Sequence, residues 1–148
     1  MLKKFHFEYC KHVCTPMTVG CKLIKKDESK TVDPKHYISM IGIFLYVIAS
    51  RPDVKQVVGI VAIFQDGPKE SHVHTVKIIF RYLKGTIDPG LWYPSKNSFT
   101  LKAYSDADWA GCVDDRKSTS RGALFLGESL VAWTSKKQTS ISLSITKF

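Results

Sequence analysis

The sequence predicts an α+β fold, an N-terminal three-helix bundle followed by an antiparallel β-meander, and three observations carry that reading. Asp33-Pro34 is an N-cap residue followed by proline at the first helical position. Two breakers, Arg51-Pro52-Asp53 and Asp66-Gly67-Pro68, then divide the next fifty residues into three helical lengths. Beyond Gly85 the apolar period changes from helical to two.

Residues 1–32 are polar, rich in Lys and Cys and broken by Pro16 and Gly20, so an irregular or loosely docked segment is expected there. Residues 33–87 form the helical segment. Its first helix is expected over residues 34–49, with Ile38, Ile41, Leu45 and Ile48 as its inward stripe. The second carries Val54, Val57, Val58, Val61 and Phe64. The third, over residues 69–84, turns Val73, Val76, Ile79, Phe80 and Leu83 inward and stops at Gly85. Residues 88–148 form the meander. Gly90-Leu91-Trp92-Tyr93 and residues 99–105 read as strands, and residues 122–126 and 130–134 as a hairpin about Gly127-Glu128.

A chain of 148 residues with 44% apolar and 24% charged side chains is globular in composition. Its 22 Lys and Arg against 13 Asp and Glu give a formal charge of +9, which suits either a polyanionic partner or an ordinary solvated basic surface. The excess is spread along the whole chain. Cys10, Cys14, Cys21 and Cys112 are too few and too uneven for a disulfide framework, so reduced thiols in an intracellular setting, cytoplasm or nucleus, are expected. Cys10-x3-Cys14-x6-Cys21 with His6 and His12 holds soft ligands, but its spacing matches no paired zinc-knuckle pattern and no metal site is assigned. No apolar run approaches the roughly 20 residues of a membrane span. The basic start at Met1-Leu2-Lys3-Lys4 lacks the apolar stretch of a signal peptide.

Asp106 and Asp108 stand two residues apart, so in a strand both point to one side. A two-metal hydrolase uses such a pair; a strand end running into a solvated acidic loop with Asp114 and Asp115 has one too. His36, His72 and His74 have no nucleophile at relay spacing and read as surface or satisfied core residues. No phosphate loop is present. The run Asp115-Arg116-Lys117-Ser118-Thr119-Ser120-Arg121 sets three cations beside hydroxyls, as a phosphate-backbone contact or a polar hairpin loop would.

These residues resemble the Pol polyprotein of copia-type retrotransposons across the segment joining the reverse transcriptase thumb to ribonuclease H. The resemblance rests on Cys14-Thr15-Pro16-Met17, Arg51-Pro52-Asp53, Arg81-Tyr82-Leu83-Lys84-Gly85-Thr86, Gly90-Leu91-Trp92-Tyr93, Tyr104-Ser105-Asp106-Ala107-Asp108-Trp109-Ala110-Gly111, Arg116-Lys117-Ser118-Thr119-Ser120 and Ala132-Trp133-Thr134-Ser135-Lys136-Lys137-Gln138. In order, these motifs cover nearly the whole chain. The resemblance implies a thumb or connection segment that grips a primer-template duplex, followed by the first strands of a truncated ribonuclease H-like sheet. Asp106 matches the first metal-binding carboxylate of that enzyme, which cleaves RNA paired with DNA using several carboxylates on two magnesium ions.

The chain departs from the pattern at defined positions. Lys147 lies where the family has a glutamate after Ser142-Leu143-Ser144, and the later carboxylate-bearing strands are missing. Arg121 stands where the family usually has glycine, so a distorted hairpin is expected if that position needs positive φ. The sheet face that the absent helix would cover should leave Trp133, Phe125, Leu126 and Val131 exposed or re-packed. The tail Ile141, Leu143, Ile145 alternates and suits an added strand.

The reading that follows is a non-catalytic Pol remnant with a vestigial Asp106, no cofactor, and residual nucleic-acid affinity through Arg116, Lys117, Lys136 and Lys137. An active ribonuclease H fragment is a second reading. The third comes from a further resemblance, to short copia-like chains among the secreted RxLR-type effectors of oomycete plant pathogens. It implies secretion, translocation to the host nucleus or chloroplast, and host-protein partners. Arg81-Tyr82-Leu83-Lys84 differs from the RxLR motif in its last residue and lies inside an expected helix.

Overall fold

In the computed structural model, which describes residues 1–96 and 99–141, the chain is α+β: three helices precede a three-stranded antiparallel sheet. It divides into two compact units, Met1–Pro89 and Gly90–Phe148.

In the first unit, helix α1 spans Pro34–Val47, α2 Pro52–Ala62 and α3 Glu70–Gly85. Asp33 caps α1 by accepting a hydrogen bond from the Lys35 amide at 3.1 Å, with Pro34 at the first helical position. Pro52 opens α2 in the same way. Tyr37, Met40, Ile41 and Phe44 of α1 meet Val54, Val57, Val58 and Val61 of α2 and Val76, Ile79, Phe80 and Leu83 of α3 in one core. The α1 stripe is therefore rotated from the expected one: Ile41 is inward, but Ile38 and Leu45 are 46% and 56% exposed. Helix α1 is apolar on most of its circumference, so its period alone admits two faces. Packing selects the one whose Phe44 ring lies 4.5 Å from Phe80 and whose buried Tyr37 hydroxyl donates to the Val61 carbonyl at 2.8 Å.

The N-terminal segment is irregular in backbone yet docked on this core. A single 3₁₀ turn, Lys3–Phe5, is followed by Phe7, whose ring stacks on Phe80 at 4.8 Å. Its far end is held by an antiparallel bridge between Thr31 and Lys69. Gly85 is the last residue of α3, without positive φ. A Cβ there would lie 2.8 Å from that of His12, so close approach of the N-terminal segment, and not a left-handed helix stop, requires the glycine.

In the second unit, β1 spans Leu101–Ala107, β2 Lys117–Leu126 and β3 Ser129–Ile141, in the order β1-β2-β3. Gly90–Tyr93 is not a strand; flanked by Pro89 and Pro94, it makes no ladder, and the Tyr93 hydroxyl instead donates to the Leu130 carbonyl at 2.7 Å. The hairpin turns at Gly127-Glu128, with φ 62° at Gly127 and Leu126 paired to Ser129. Strands β2 and β3 extend well beyond their apolar stretches because Ser, Thr and Lys positions keep pairing through the backbone. Arg121 has ordinary strand backbone opposite Asp106, so the hairpin is not distorted there. Every residue of β1 is exposed, and among the described residues no apolar side chain of the sheet unit is fully buried. Val131 is exposed and Phe125, Leu126 and Trp133 are half-buried. The tail beyond Ile141, with Leu143, Ile145 and Lys147, lies outside the described residues.

Candidate functional site

The antiparallel register sets Asp106 of β1 directly opposite Arg121 of β2. Strand β1 ends at Ala107, so Asp108 lies just beyond it, and it is anchored by the backbone. Its Oδ1 accepts from the Thr119 amide at 2.7 Å, while its own amide donates to the Thr119 carbonyl at 3.1 Å. The two carboxylates are nevertheless brought together, by Arg121: Nη1 lies 3.8 Å from Asp106 Oδ2 and Nη2 3.8 Å from Asp108 Oδ2. Arg121 Nε is buried with no hydrogen-bond partner, which marks the arginine as held for its charge rather than for a complete set of bonds.

The loop after Asp108 passes close to that carboxylate. A Cβ on Gly111 would fall 2.6 Å from Asp108 Oδ2, so a larger residue there would push the carboxylate off its present position, where it accepts from the Thr119 amide. Ala110 takes φ 45° with its amide donating to the buried Ser118 Oγ at 3.0 Å. An open cavity of about 470 Å³ is lined by Asp106, Asp108, Trp109, Ser118, Ser120 and Arg121.

The four cations expected to touch nucleic acid are placed differently from one another. Arg116, at φ 55°, lays its guanidinium 5.5 Å from the Trp109 ring centroid. Lys117 opens β2 opposite Ile141. Lys137 Nζ is 2.8 Å from Asp115 Oδ2 and 3.0 Å from Cys112 Sγ, and its hydrogen bond holds the Asp115 carboxyl down at about 2. Lys136 is exposed, and strand alternation turns it to the opposite face from Lys137.

Strand alternation also assembles a group that motif reasoning missed. Lys102, Tyr104 and Asp106 of β1, Arg121, Ala123 and Phe125 of β2, and Trp133, Ser135 and Lys137 of β3 share one face. Tyr104 and Phe125 make an edge-to-face contact at 5.7 Å. Cations and aromatic rings are thus interleaved on an open sheet. The signal was present as period-two spacing within each strand; only the register shows which residues stand side by side.

Arg81-Tyr82-Leu83-Lys84 lies on α3, and all four side chains are used by the fold. Arg81 Nε donates to the Lys11 carbonyl and Lys84 Nζ to the Cys10 carbonyl, each at 2.7 Å, Tyr82 donates to Asp53 Oδ2 at 2.8 Å, and Leu83 is buried. Asp53 is also bound by Arg51; partial burial pushes its carboxyl up, but these hydrogen bonds outweigh that and hold it below the usual range. His72 is buried between the Lys69 amide, which donates to Nδ1 at 3.0 Å, and the Ile24 carbonyl, 2.9 Å from Nε2. Among the described residues no group of three or more His, Cys, Asp or Glu is arranged to hold a metal ion, and no helix is long and apolar enough to cross a membrane.

No family model matches the chain, and no solved structure matches it. The chain is 37% identical over 147 residues to the retrovirus-related Pol polyprotein from transposon RE1 of Arabidopsis thaliana, which covers 99% of this chain and 10% of that polyprotein. It is 35% identical over 154 aligned residues to the corresponding polyprotein from transposon TNT 1-94 of Nicotiana tabacum, covering 99% of this chain and 12% of the relative. The chain thus spans about a tenth of the length of these polyproteins. It is 38% identical over 112 residues to secreted RxLR effector protein 161 of Plasmopara viticola, covering 75% of this chain and 79% of that protein.

Proposed function

Because the chain belongs to the family of copia-type retrotransposon Pol sequences, we propose that it is a non-catalytic Pol-derived protein that binds nucleic acid without hydrolysing it. The observation that carries this reading is Arg121. Ribonuclease H chemistry needs open carboxylates converging on magnesium, whereas here a fixed guanidinium lies 3.8 Å from both Asp106 and Asp108. The residues present do not fit the metal: one cation already faces both carboxylates and offsets half of their charge, and Asp115 is engaged with Lys137.

Nucleic-acid binding is supported by the open face bearing Tyr104, Phe125 and Trp133 among Lys102 and Arg121, with Arg116 over Trp109 at its edge. Bases stack on such rings while the cations meet phosphates, an arrangement that tolerates any sequence. The test pairs two measurements on the full chain. A magnesium-dependent assay on an RNA–DNA hybrid should show no cleavage by the chain or by Asp106→Asn. Fluorescence anisotropy with a labelled single strand should show binding that weakens with salt and falls roughly tenfold in Trp133→Ala. Cleavage abolished by Asp106→Asn would overturn the non-catalytic reading, and binding indifferent to salt and to Trp133 the other half.

One comparison favours a second reading. The RxLR effector relative is matched over 79% of its own length, unlike the polyproteins. A host-directed role would place the chain in plant cells, against host proteins. Its test is expression of the tagged chain in leaf tissue, scoring nuclear or chloroplast location and suppression of an induced cell-death response. Since the fold occupies all four side chains at Arg81 to Lys84, that activity should not depend on them being displayed as a free motif.

A further inference from the structure

A second cavity lies in the helical unit. It has a volume of about 420 Å³ and is bounded by the 3₁₀ turn, the first turns of α1 and the middle of α3. Its polar lining is Lys4, His6, His36, Ser39 and Lys77, with no carboxylate among the lining residues. None of these five side chains has a hydrogen-bond or ion-pair partner among the described residues. Of the acids in the same unit, Asp33 caps α1 through the Lys35 amide and Asp27 binds Ser29 and Ser71, while Glu8 and Glu70 are not among the lining residues. Two ammonium groups facing one cavity without a counter-charge repel each other and favour an anion between them.

The wall beside them is flat and aromatic. Phe5 is half-buried, with its ring 5.9 Å from the His36 ring and Lys4 Nζ 5.6 Å from its centroid. The turn that presents it is strained. His6 sits at φ 60°, ψ 34°, left-handed for a residue with a side chain, and this single reversal sends Phe5 and Phe7 onto Phe80 while leaving the exposed imidazole at the cavity. A backbone outlier, an uncompensated cationic pair and an aromatic wall therefore meet at one place. The volume falls in the ordinary range for a small-molecule site.

We propose that this cavity binds a nucleoside monophosphate, or the same phosphate monoester at the 5′ end of a strand, with the phosphate between Lys4 and Lys77 and the base against Phe5. The site stands on the helical unit and does not depend on the reading of the sheet face. Ser39 and the two imidazoles donate to the remaining phosphate oxygens.

Calorimetry on the full chain with AMP, adenosine and inorganic phosphate tests it, and Lys77→Glu, Lys4→Glu and the control Lys55→Glu on α2 are each checked for helical content by circular dichroism. AMP should bind more tightly than either adenosine or phosphate, and each cavity variant should weaken it by roughly tenfold or more while the control leaves it unchanged. A 5′-phosphorylated oligonucleotide that competes with AMP, where its 5′-hydroxyl counterpart does not, would identify the strand end as the source; competition by neither supports the free nucleotide. Absence of AMP binding, equal affinity for adenosine or phosphate, or equal loss in Lys55→Glu overturns the proposal.

Discussion

Replacing Arg121 by glutamine removes the charge between Asp106 and Asp108 while keeping a strand-compatible side chain. Each Arg121–carboxylate pair is separated by 3.8 Å, and the three side chains are 38%, 72% and 28% exposed, so solvent screens both. With water-like screening each attraction is about 1 kcal/mol, and a divalent ion between the carboxylates, about 4 Å from the guanidinium, meets about 2 kcal/mol of repulsion. Lifting that repulsion alone tightens divalent binding by roughly 30-fold. Manganese quenching of the fluorescence of Trp109, the residue after Asp108, reads this directly. The Arg121→Gln chain should bind Mn²⁺ at least that much more tightly than the natural chain, and neither should cleave an RNA–DNA hybrid. Fold stability should change little, since both pairs are long and largely screened by solvent. Equal Mn²⁺ affinity in the two chains would refute the argument that Arg121 occupies the metal position.

Phe80→Ala removes the ring on which Phe5, Phe7 and Phe44 converge and should cost the helical unit about 3–5 kcal/mol in thermal or denaturant unfolding. His72→Ala orphans the Lys69 amide and the Ile24 carbonyl and removes the stack on Phe64, so a loss of about 2–4 kcal/mol is expected by the same measurement. Gly85→Ala, favourable in a helix by about 1 kcal/mol, should instead destabilise because of His12, and adding His12→Gly should restore the gain in a double-mutant cycle. Asp115 is held at about 2, below its unfolded value, so its bridge to Lys137 stabilises fully above about pH 4 and fades as pH falls toward 2. With Asp115 39% exposed the effect is at most about 1 kcal/mol, and Asp115→Asn should abolish that part of the acid sensitivity in a pH series of unfolding midpoints.

How legible each part was follows from how local its cause is. The start of α1 is written in Asp33-Pro34, the breaks in Pro52 and Gly67-Pro68, and the hairpin in Gly127, because caps, proline and positive φ act over a few residues. The inward faces of α2 and α3 were readable since polar residues interrupt their apolar stripes. On α1, where few polar residues intervene, the same reasoning chose Ile38 and Leu45 over Tyr37 and Phe44. Helix α3 does end at Gly85, but what requires glycine there is His12, 73 positions away in the chain, and no local rule contains it.

The sequence by itself therefore determined the α+β order, the family and the position of Asp106, all carried by short-range patterns. Tertiary structure alone decided what that aspartate faces. Asp106 and Arg121 are brought together by strand register, a property of pairing between distant segments, and so are Lys102, Tyr104, Phe125 and Trp133 on their shared face. The cavity lined by Lys4 and Lys77 arises in the same way, from the docking of a turn against two helices.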